Sequence, residues 1–403
     1  MSLPPLTRQF PRAYVDVHVI QTVPPANMNR DDQGNPKDAM YGGVRRSRVS
    51  SQAWKRATRM HFAQNRPEED HATRTRGVAA ALAEKLSVLP GVPDEESAAR
   101  LATSLLAPLG IKAGKKAGDT AYLFFYGQRQ LDRLAALIAD RAPELLALSD
   151  KKREAAVAEL GVQEIFRTEH PLEVALFGRM VADLASLRVD AATQVAHALS
   201  THAVDLEFDY FTAVDDETRR RNETGAGMIG HIGFNSATLY RYATVGLHQL
   251  KHNLAAGRES SAAWPATVAG VREFVTSFAR SVPSGYGNSF AHRTLPSLVA
   301  VVVRTDQPVN LVSAFENPVR LKEDPLRLEG ESIAATSAKR LADEHAKVTE
   351  HWGEPAAFQA VVHAFDEKPA HRVETAFGPG RSFPELLSGL EAHLDRTYSE
   401  ESA

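Results

Sequence analysis

Alternating apolar and polar positions mark the first predicted strand, residues 13–21. The apolar positions are Val15, Val17 and Val19, and the polar positions are Asp16 and His18. This period of two is typical of a strand with one apolar face. Pro24 and Pro25 follow it, and we expect them to end the strand. We interpret His18 as a satisfied or exposed strand residue, with a ligand contact as the alternative.

Helical periodicity dominates residues 67–147, which are rich in alanine and leucine. The pattern predicts helices at 75–89, 95–106 and 128–139, and a short strand at 122–126. A lysine-rich segment, residues 111–118, interrupts these elements. We interpret it as a solvated loop, with a contact to a second phosphate backbone as the alternative.

The next region gives weaker signals. Residues 171–181 return to an apolar pattern, in which Gly178 and Met180 either lie at a surface or belong to a buried strand end with a bulge. Residues 190–203 fit a helix or a strand equally well.

Residues 205–233 lack amphipathic periodicity and are predicted to form a long loop. The segment contains the aromatic pair Tyr210 and Phe211, followed by acidic residues, arginines and glycines. Loops of this length are usually functional or disordered. Aromatic side chains on such a loop can wedge between bases. The alternative is that they only anchor the loop to the core.

The rest of the chain alternates between strands and helices. Strands are predicted at 234–245, 298–303 and 360–365, and helices at 247–255, 268–281, 333–350 and 383–398. Without the helix-rich region and the long loop, the order is strand, helix, strand, strand, helix, strand. This is the split βαβ order of ferredoxin-like and RNA-recognition domains. The predicted fold class is therefore α+β, with loops and the first helix left to bind any RNA.

The composition is that of an ordinary globular protein and excludes several kinds of site. The chain has 403 residues, of which 43% are hydrophobic and 24% charged, as in ordinary globular proteins. The absence of cysteine excludes disulfides, thiolate metal ligands and cysteine nucleophiles. No apolar stretch resembles a signal peptide or a membrane span, so we expect a cytoplasmic protein. Nothing in the sequence calls for a cofactor or a metal.

Positive charge is concentrated in residues 29–66. This stretch has nine basic and three acidic side chains, a local charge of +6 in a chain of formal net charge −3. Ser50 or Ser51 is suited to cap a helix that begins near Gln52. Glycines in the preceding loop let the backbone approach a ligand closely, and a helix N-terminus favours anions. Together these features predict a cradle for a phosphate backbone.

The predicted helix has two different faces. At about 100° per residue, one stripe contains Gln52, Lys55, Arg56 and Arg59, and the other face contains Ala53, Trp54, Ala57 and Met60. We expect the second face to pack on a core. The helix lacks the acidic residues that usually alternate with basic ones on a solvated face. A phosphate contact and a solvated face remain the two interpretations of the basic stripe.

Ordered landmarks from about residue 13 to 318 resemble one known family. They lie at 29–32, 37–39, 42–43, 45–46, 48, 50–52, 55–56, 195–198, 201–202, 209–216, 239–243 and 288–291. Together they resemble the CasC-type backbone subunit of the type I-E Cascade complex, a member of the repeat-associated superfamily.

The resemblance implies a hand-shaped, non-catalytic scaffold for antiviral defence. Its implied parts are a ferredoxin-like palm (1–66, 171–204 and 234–325), helical fingers (67–170), a thumb loop (205–233) and a C-terminal extension packed on the palm (326–403). Several copies would stack along one CRISPR RNA beside other Cascade subunits. Target DNA would be bound through the guide.

Specific residues acquire roles through the same resemblance. Contacts to the guide backbone, which are blind to base sequence, are implied for Asn29, Arg30, Lys37, Arg48, Ser50, Gln52, Lys55, Arg56, Arg59, Met180, Asn288 and Ser289. Tyr210 and Phe211 would be the thumb pair that folds one base out at regular intervals. Lys112, Lys115 and Lys116 are candidates for holding target DNA.

Two other classes of function remain as alternatives. A metal-dependent ribonuclease of the same superfamily would use Asp31 or Asp32, with His18 and His292 available for acid–base chemistry. Against it, Asp31 directly follows Arg30, which suits an ion pair. A helix-rich interaction scaffold without nucleic acid would leave the basic stripe solvated.

Overall fold

The computed structural model describes residues 11–111, 119–181, 184–214, 226–320, 330–353 and 355–399. Lys112, Lys115 and Lys116, the candidates for holding target DNA, lie outside these residues.

The described strands pair in antiparallel fashion. They are β1 (Tyr14–Ala26), β2 (Asp38–Tyr41), β3 (Val44–Val49), β4 (Ala72–Thr75), β5 (Phe124–Gly127), β6 (Thr193–Val195), β7 (Ala198–Ser200), β8 (Glu207–Val214), β9 (Ala226–Gly246), β10 (Leu298–Arg304) and β11 (Phe358–His363). The main sheet has the order β11-β10-β1-β9-β7-β3-β2, and β6 and β8 also pair with β9. Strands β4 and β5 form a separate two-stranded sheet.

The helices follow the sequence pattern closely where the pattern is long. They are α1 (Ser51–Asn65), α2 (Val78–Ser87), α3 (Glu95–Leu106), α4 (Gln128–Ile138), α5 (Ala142–Ala147), α6 (Asp150–Ala158), α7 (Val162–Arg167), α8 (Leu172–Phe177), α9 (Leu247–Ala255), α10 (Ser260–Arg280), α11 (Gly287–Phe290), α12 (Ile333–Trp352), α13 (Glu367–Phe377) and α14 (Phe383–Tyr398). The predicted bounds of α3, α9 and α14 are confirmed. Helices α5, α7 and α13 were not predicted. The expected mixture of helices and strands is also confirmed.

Strand β1 is buried on both faces. Val15, Val17 and Val19 belong to a core shared with α1, α9, α10 and α14. The opposite face is covered by α12 and α13, so Asp16 and His18 are also fully inaccessible. Buried polar groups need partners. Asp16 therefore pairs with Arg304 at 3.0 Å and accepts a hydrogen bond from the Tyr242 hydroxyl at 2.9 Å.

His18 is a satisfied strand residue, as the preferred interpretation held. Its Nδ1 lies 2.9 Å from the Tyr240 hydroxyl. Burial, followed by the nearby His345 and Arg304, holds the pKa of His18 well below its ordinary value. The side chain therefore has no access to a ligand and is neutral at physiological pH.

One local prediction in the first part of the sheet is wrong. Strand β1 does not end before Pro24 and Pro25 but continues to Ala26. Its pairing with β9 shifts register between Val23 and Ala26, and this irregularity accommodates two residues that lack an N–H donor.

The segment around Gly178 is helical up to that residue. Residues Leu172–Phe177 form α8, not a buried strand end, and Gly178 ends the helix with φ of 75°. A Cβ atom at Gly178 would lie 2.7 Å from the carbonyl oxygen of Val189. Glycine is required there because the backbone reverses against a neighbouring segment. Residues 190–203 contain the two short strands β6 and β7.

The predicted loop at 205–233 is a β-hairpin over its described residues. Strand β8 pairs with the first part of β9, from Glu207 opposite Phe234 to Val214 opposite Ala226. The loop prediction failed because this ribbon is held by backbone hydrogen bonds and shows no periodic apolar face. Strand β9 then continues from the hairpin into the main sheet beside β1.

Helices α2–α7 surround a hydrophobic core of their own. Phe124, Leu131, Leu134 and Phe166 lie at its centre, and Val181 and Leu187 belong to the same cluster. This second core lies beside α1 and the sheet, and its β5 strand contributes to the site described next.

Candidate nucleic-acid interface

Helix α1 begins at a fixed point next to the loop that follows β1. Ser50 is the N-cap, since its Oγ accepts a hydrogen bond from the Ala53 amide at 3.3 Å. The Asn29 Oδ1 accepts a hydrogen bond from the Ser50 amide at 2.8 Å. The helix start is therefore held by the same loop that contains Arg30.

The rotation of α1 about its axis is set by a buried stack. The guanidinium of Arg241, on β9, lies 3.8 Å from the centroid of the buried Trp54 ring and 4.6 Å from that of Phe278. Arg241 also donates to the Gln21 Oε1 at 2.5 Å. Burial lowers the pKa of Arg241 to about 9, and the side chain is still charged at neutral pH. Cation–π contacts of this kind are strongest when desolvated.

The buried face of α1 differs from the predicted one. It consists of Trp54, Thr58 and Phe62, spaced by four residues. Met60 was predicted to pack on the core, but 49% of it is exposed. Two residues beyond Thr58 correspond to about 200° of rotation, which places Met60 on the outer surface.

The first of two clefts lies along one side of α1, opposite the segment 280–285. Its volume is about 810 Å³. Five residues with a predicted guide contact line it: Asn29, Arg30, Ser50, Gln52 and Arg56. His61, Met60, Arg280 and Arg293 line it as well. We call this the α10 cleft, because the end of α10 forms its far wall.

The second cleft lies along the other side of α1. Its volume is about 500 Å³, and strand β5 and the segment after α8 form its far wall. Four residues with a predicted guide contact line it: Gln52, Lys55, Arg59 and Met180. Arg74, Arg179 and Arg188 line it too. We call this the β5 cleft. Since Gln52 lines both clefts, α1 is a ridge between them.

Cations of the β5 cleft are partly withdrawn from water. Arg179 is only 2% exposed and donates to the carbonyl oxygens of Leu187 at 2.8 Å and Phe166 at 2.5 Å. Burial lowers the pKa of Arg179 to about 10. Burial is also the main reason why the pKa values of Lys55 and Arg59 are lowered. The cleft has five basic residues and one acidic residue, Asp190, so an anion would stabilise these cations.

Cations of the α10 cleft are more exposed. Arg30, Arg56, Arg280 and Arg293 are all solvent-accessible and are accompanied by two acidic residues. His61 contacts the Ser277 Oγ through Nδ1 at 2.9 Å. The pKa of His61 is lowered by partial burial and then by Arg280 and Arg293. The positive field of the far wall therefore reaches the middle of the cleft.

The acidic residues after β1 shape the loop. The Asp31 Oδ1 accepts hydrogen bonds from the amides of Gln33 at 2.9 Å and Asn35 at 2.8 Å. Arg30 lies instead over the ring of Tyr286, with its Cζ 4.6 Å from the centroid. The expected ion pair between Arg30 and Asp31 is therefore wrong, because each side chain has another partner.

The ribonuclease alternative gains no support from this arrangement. His292 is buried, with its Nε2 2.8 Å from the Pro283 carbonyl oxygen. Over the described ranges, no three histidine, aspartate or glutamate residues are grouped so that they could hold a metal ion.

Four residues with a predicted guide contact lie outside both clefts. Arg48 donates from Nε to the Asp38 carbonyl oxygen at 3.0 Å and lies 3.2 Å from the Nδ1 of His197. Asn288 and Ser289 are exposed on the short helix α11, and Lys37 is half-buried before β2. These four line neither cleft, although the Lys37 amide donates to the Asn29 carbonyl oxygen at 2.8 Å and Arg48 lies two residues before the N-cap Ser50.

The aromatic pair of the predicted thumb lies on β8. Tyr210 is 55% exposed and packs against His231 with ring centroids 5.2 Å apart. Phe211 is 39% exposed and lies over Gly230, where a Cβ would be only 2.5 Å from its ring. Gly230 thus lets the Phe211 ring lie across the partner strand. Both rings have exposed surface available for a further contact.

Sequence reasoning missed five arginines of the two clefts. They are Arg74, Arg179 and Arg188 in the β5 cleft, and Arg280 and Arg293 in the α10 cleft. Arg280 lies in the last turn of the predicted helix 268–281, and Arg293 ends the turn-rich segment 282–293. The only feature of the sequence that could have indicated Arg280 and Arg293 is their position at the end of a predicted element. That position does not show which surfaces of the folded protein lie close together.

Comparison with known proteins assigns the chain to a family. The family model for CT1975-like proteins matches residues 15–389, nearly the whole chain. The chain belongs to the CT1975-like family. The predicted resemblance to CasC-type backbone subunits is confirmed at this level. No curated protein matches the sequence.

Solved structures with the same fold agree with the assignment to the CT1975-like family. One chain, from a structure titled "CRISPR RNA-guided surveillance complex, pre-nicking", is 30% identical with a TM-score of 0.77 and covers 94% of this chain and 100% of its own. Another, from a "CRISPR RNA-guided surveillance complex", is 28% identical with a TM-score of 0.67 and covers 94% of this chain and 99% of its own. Within the described part of this family member, no helix is long and apolar enough to cross a membrane.

Proposed function

We propose that this chain is a backbone subunit of a CRISPR surveillance complex of the Cascade, type I-E, kind. In this role it holds the sugar-phosphate backbone of the guide RNA and has no catalytic activity of its own. The observation that carries the proposal is the position of α1 as a ridge between two cationic clefts, both lined by Gln52. Similarity to chains of CRISPR RNA-guided surveillance complexes supports it.

The chemistry of the two clefts suits a phosphate backbone better than base recognition. Arg56, Lys55 and Arg59 lie within the first nine residues of α1, and the N-terminal end of the helix dipole also favours anions. Contacts of this kind position a strand but carry no information about base sequence. The subunit would therefore accept any guide and leave specificity to base pairing.

The arrangement of elements supports a ferredoxin-like palm. Strands β10, β1, β9 and β7 are adjacent in that order, and α1 and α10 pack on one face of the sheet. We assign residues 1–66, 171–204 and 234–325 to this palm. Residues 67–170 would be the fingers and 205–233 the thumb, now seen in part as a hairpin. Residues 326–403 would be an extension packed on the palm.

The thumb would act on a neighbouring copy of the chain. Tyr210 and Phe211 retain exposed ring surface on a ribbon that extends from the central strand β9. Aromatic rings can insert between bases or stack on them. In a filament of copies along one guide, such a pair would fold one base out per subunit. Guide and target DNA would then pair in short segments.

A pull-down of RNA tests the proposal. The chain is co-expressed with a CRISPR array and partner subunits, and the RNA in the purified assembly is extracted and sequenced. We expect repeat-derived RNA of uniform length that is lost in an Arg56→Gln/Arg59→Gln double variant. Reduced binding should be uniform across guide sequences, because the lost contacts are to phosphates.

A matched control removes two arginines elsewhere. Arg141→Gln/Arg167→Gln changes the net charge equally at two arginines outside both clefts, which pair with Glu144 and Glu164. This variant should retain the RNA. An intact assembly that contains no RNA would contradict the proposal and favour a protein interaction scaffold. A loss that depends on guide sequence would contradict the backbone-binding role.

A further inference from the structure

The far wall of the α10 cleft, like the α1 ridge, presents arginine side chains to the cleft. It consists of the end of α10 and the segment that follows, and it places Arg280 and Arg293 on the cleft. Both side chains are solvent-exposed. Neither takes part in an ion pair among the described residues, whereas Arg272, earlier on the same helix, pairs with Glu391. The guanidinium of Arg280 is positioned over the Phe383 ring, 5.4 Å from its centroid.

Side-chain contacts fix the distance between the two walls. His61 on α1 contacts Ser277 on α10 at 2.9 Å, and the hydroxyls of Thr58 and Ser281 lie 3.5 Å apart. The cleft is thus closed at its base by bonds between α1 and α10. A strand that enters it meets two walls that are already in place, which lowers the ordering cost of binding.

The segment that presents Arg293 is held in a strained conformation. Tyr286 and Ala291 have φ of 49° and 45°, in the left-handed region that residues other than glycine rarely adopt. A Cβ on Gly285 would lie 2.4 Å from the Met28 carbonyl oxygen, so the segment packs tightly on the loop after β1. Strain of this kind persists where the surrounding structure over-determines it, and it clusters at functional sites.

The charges on the two walls of the α10 cleft favour binding of an anion between them. Arg30 and Arg56 line one side and Arg280 and Arg293 line the other. Like charges across a cleft repel each other, and an anion between them turns this repulsion into attraction. The two carboxylates at the edge, Asp31 and Asp32, lie on the α1 side, and Asp31 is already engaged by loop amides.

We propose that Arg280 and Arg293 form a second phosphate-binding site, so that the guide strand in the α10 cleft is held from both walls. Arg30 and Arg56 bind it from the α1 side and the new pair binds it from the α10 side. The ligand is a phosphodiester strand, and we assign it to the guide RNA. The inference rests on the proposed function and extends it to residues that neither the basic stripe nor the resemblance identified.

Salt dependence of RNA binding tests this site. The full-length protein, freed of RNA, is titrated with a fluorescent single-stranded RNA at several salt concentrations. For single strands, the slope of log K against log salt falls by about 0.7 for each phosphate contact that is lost. Arg280→Gln/Arg293→Gln should therefore reduce the slope by about 1.4 and weaken binding about tenfold near physiological salt. Arg272→Gln, on the same helix, is the matched control and should leave the slope unchanged.

Single variants guard against a folding defect. Arg293→Gln removes an exposed side chain and should leave the thermal unfolding midpoint unchanged while it lowers the slope by about 0.7. Arg280→Gln also loses its contact with Phe383. A change in its RNA binding is therefore evidence for the site only if its thermal unfolding midpoint is unchanged. An unaltered slope in a folded Arg293→Gln variant would overturn the two-wall arrangement.

The outcomes separate this inference from the function on which it rests. If Arg56→Gln lowers the slope and the Arg280/Arg293 double variant does not, the second site is wrong and the proposed function stands. If neither changes RNA binding, the proposed function fails. If the double variant loses binding only when complementary DNA is added, the assignment to the guide strand is wrong and the ligand is the target strand.

Discussion

The two clefts beside α1 are both cationic, but they differ in construction. In the α10 cleft the arginines are exposed, and they belong to a polar surface with a histidine at its base. In the β5 cleft one arginine is buried and bonded to carbonyl oxygens, and the exposed Met180 and Leu123 add apolar surface. This difference in burial indicates two different roles for an arginine in a cleft. In the proposed function, an exposed arginine would contribute affinity with little effect on the fold, whereas Arg179 stabilises the fold through its bonds to carbonyl oxygens.

The largest expected difference between the clefts is in stability. Arg179→Met would leave the carbonyl oxygens of Leu187 and Phe166 without their donor, at about 1–3 kcal/mol for each. We expect the free energy of unfolding in urea to fall by about 2–6 kcal/mol. Arg293→Met, in the α10 cleft, should change it by no more than about 0.5 kcal/mol. Equal losses would mean that both clefts use their arginines in the same way.

An intermediate effect is expected from apolar contact in the β5 cleft. Met180 is 79% exposed, and a thioether there can pack against a base. Met180→Ser should weaken RNA binding by about 1 kcal/mol, or about fivefold, without a change in the salt slope. Arg56→Gln in the α10 cleft should instead lower the slope. Met40→Ser, at an exposed methionine on β2 that lines neither cleft, is the control; a comparable loss there would show that the effect is not local.

The smallest expected effect is a pH dependence confined to the α10 cleft. The pKa of His61 is lowered by partial burial and by Arg280 and Arg293, so the free protein binds this proton poorly near neutral pH. A phosphate in the cleft favours the charged imidazolium, and RNA binding should take up a proton. Affinity should therefore rise about threefold as the pH falls from about 7.5 to about 6, close to the ordinary histidine pKa.

Acid should affect the stability of the fold, through His61, in the direction opposite to its effect on RNA affinity. A histidine whose pKa is lower in the folded state stabilises the fold above its unfolded pKa, and this contribution is lost as the pH falls below that value. RNA binding and stability should thus respond to acid in opposite directions. His61→Gln should abolish the change in affinity, whereas Lys55→Gln, in the β5 cleft, should retain it. A pH dependence that survives in His61→Gln would assign the proton to another group.

Local sequence pattern predicted the parts of this fold that depend on local structure. The bounds of Glu95–Leu106 and Phe383–Tyr398 follow from a 3.6-residue period, and the strand at residues 298–303 from a run of β-branched residues. The charged stripe of α1 was visible because helix geometry alone brings residues three and four apart to one face. These predictions needed no knowledge of distant contacts.

Features that depend on long-range packing were not visible in the sequence. Arg241 looks like a surface residue until β9 places it under Trp54, and Met60 looks like a core residue until Trp54 fixes the rotation of α1. The approach of Arg293 to α1 joins residues more than two hundred positions apart. Hairpin pairing between β8 and β9 was missed for a related reason, because backbone hydrogen bonds leave no mark in side-chain periodicity.

A ridge shared by two binding surfaces restricts how the chain can evolve. Gln52 lines both clefts, and the stack of Trp54 on Arg241 fixes which side chains follow it on each side. Insertion or deletion of one residue after Trp54 would rotate the rest of α1 by about 100° relative to this anchor. Arg56 and Arg59 would then leave their clefts together, and Phe62 would leave the core. A substitution at Arg56 or Arg59 alters one surface, whereas a change in the length of α1 alters both surfaces and the core in a single step.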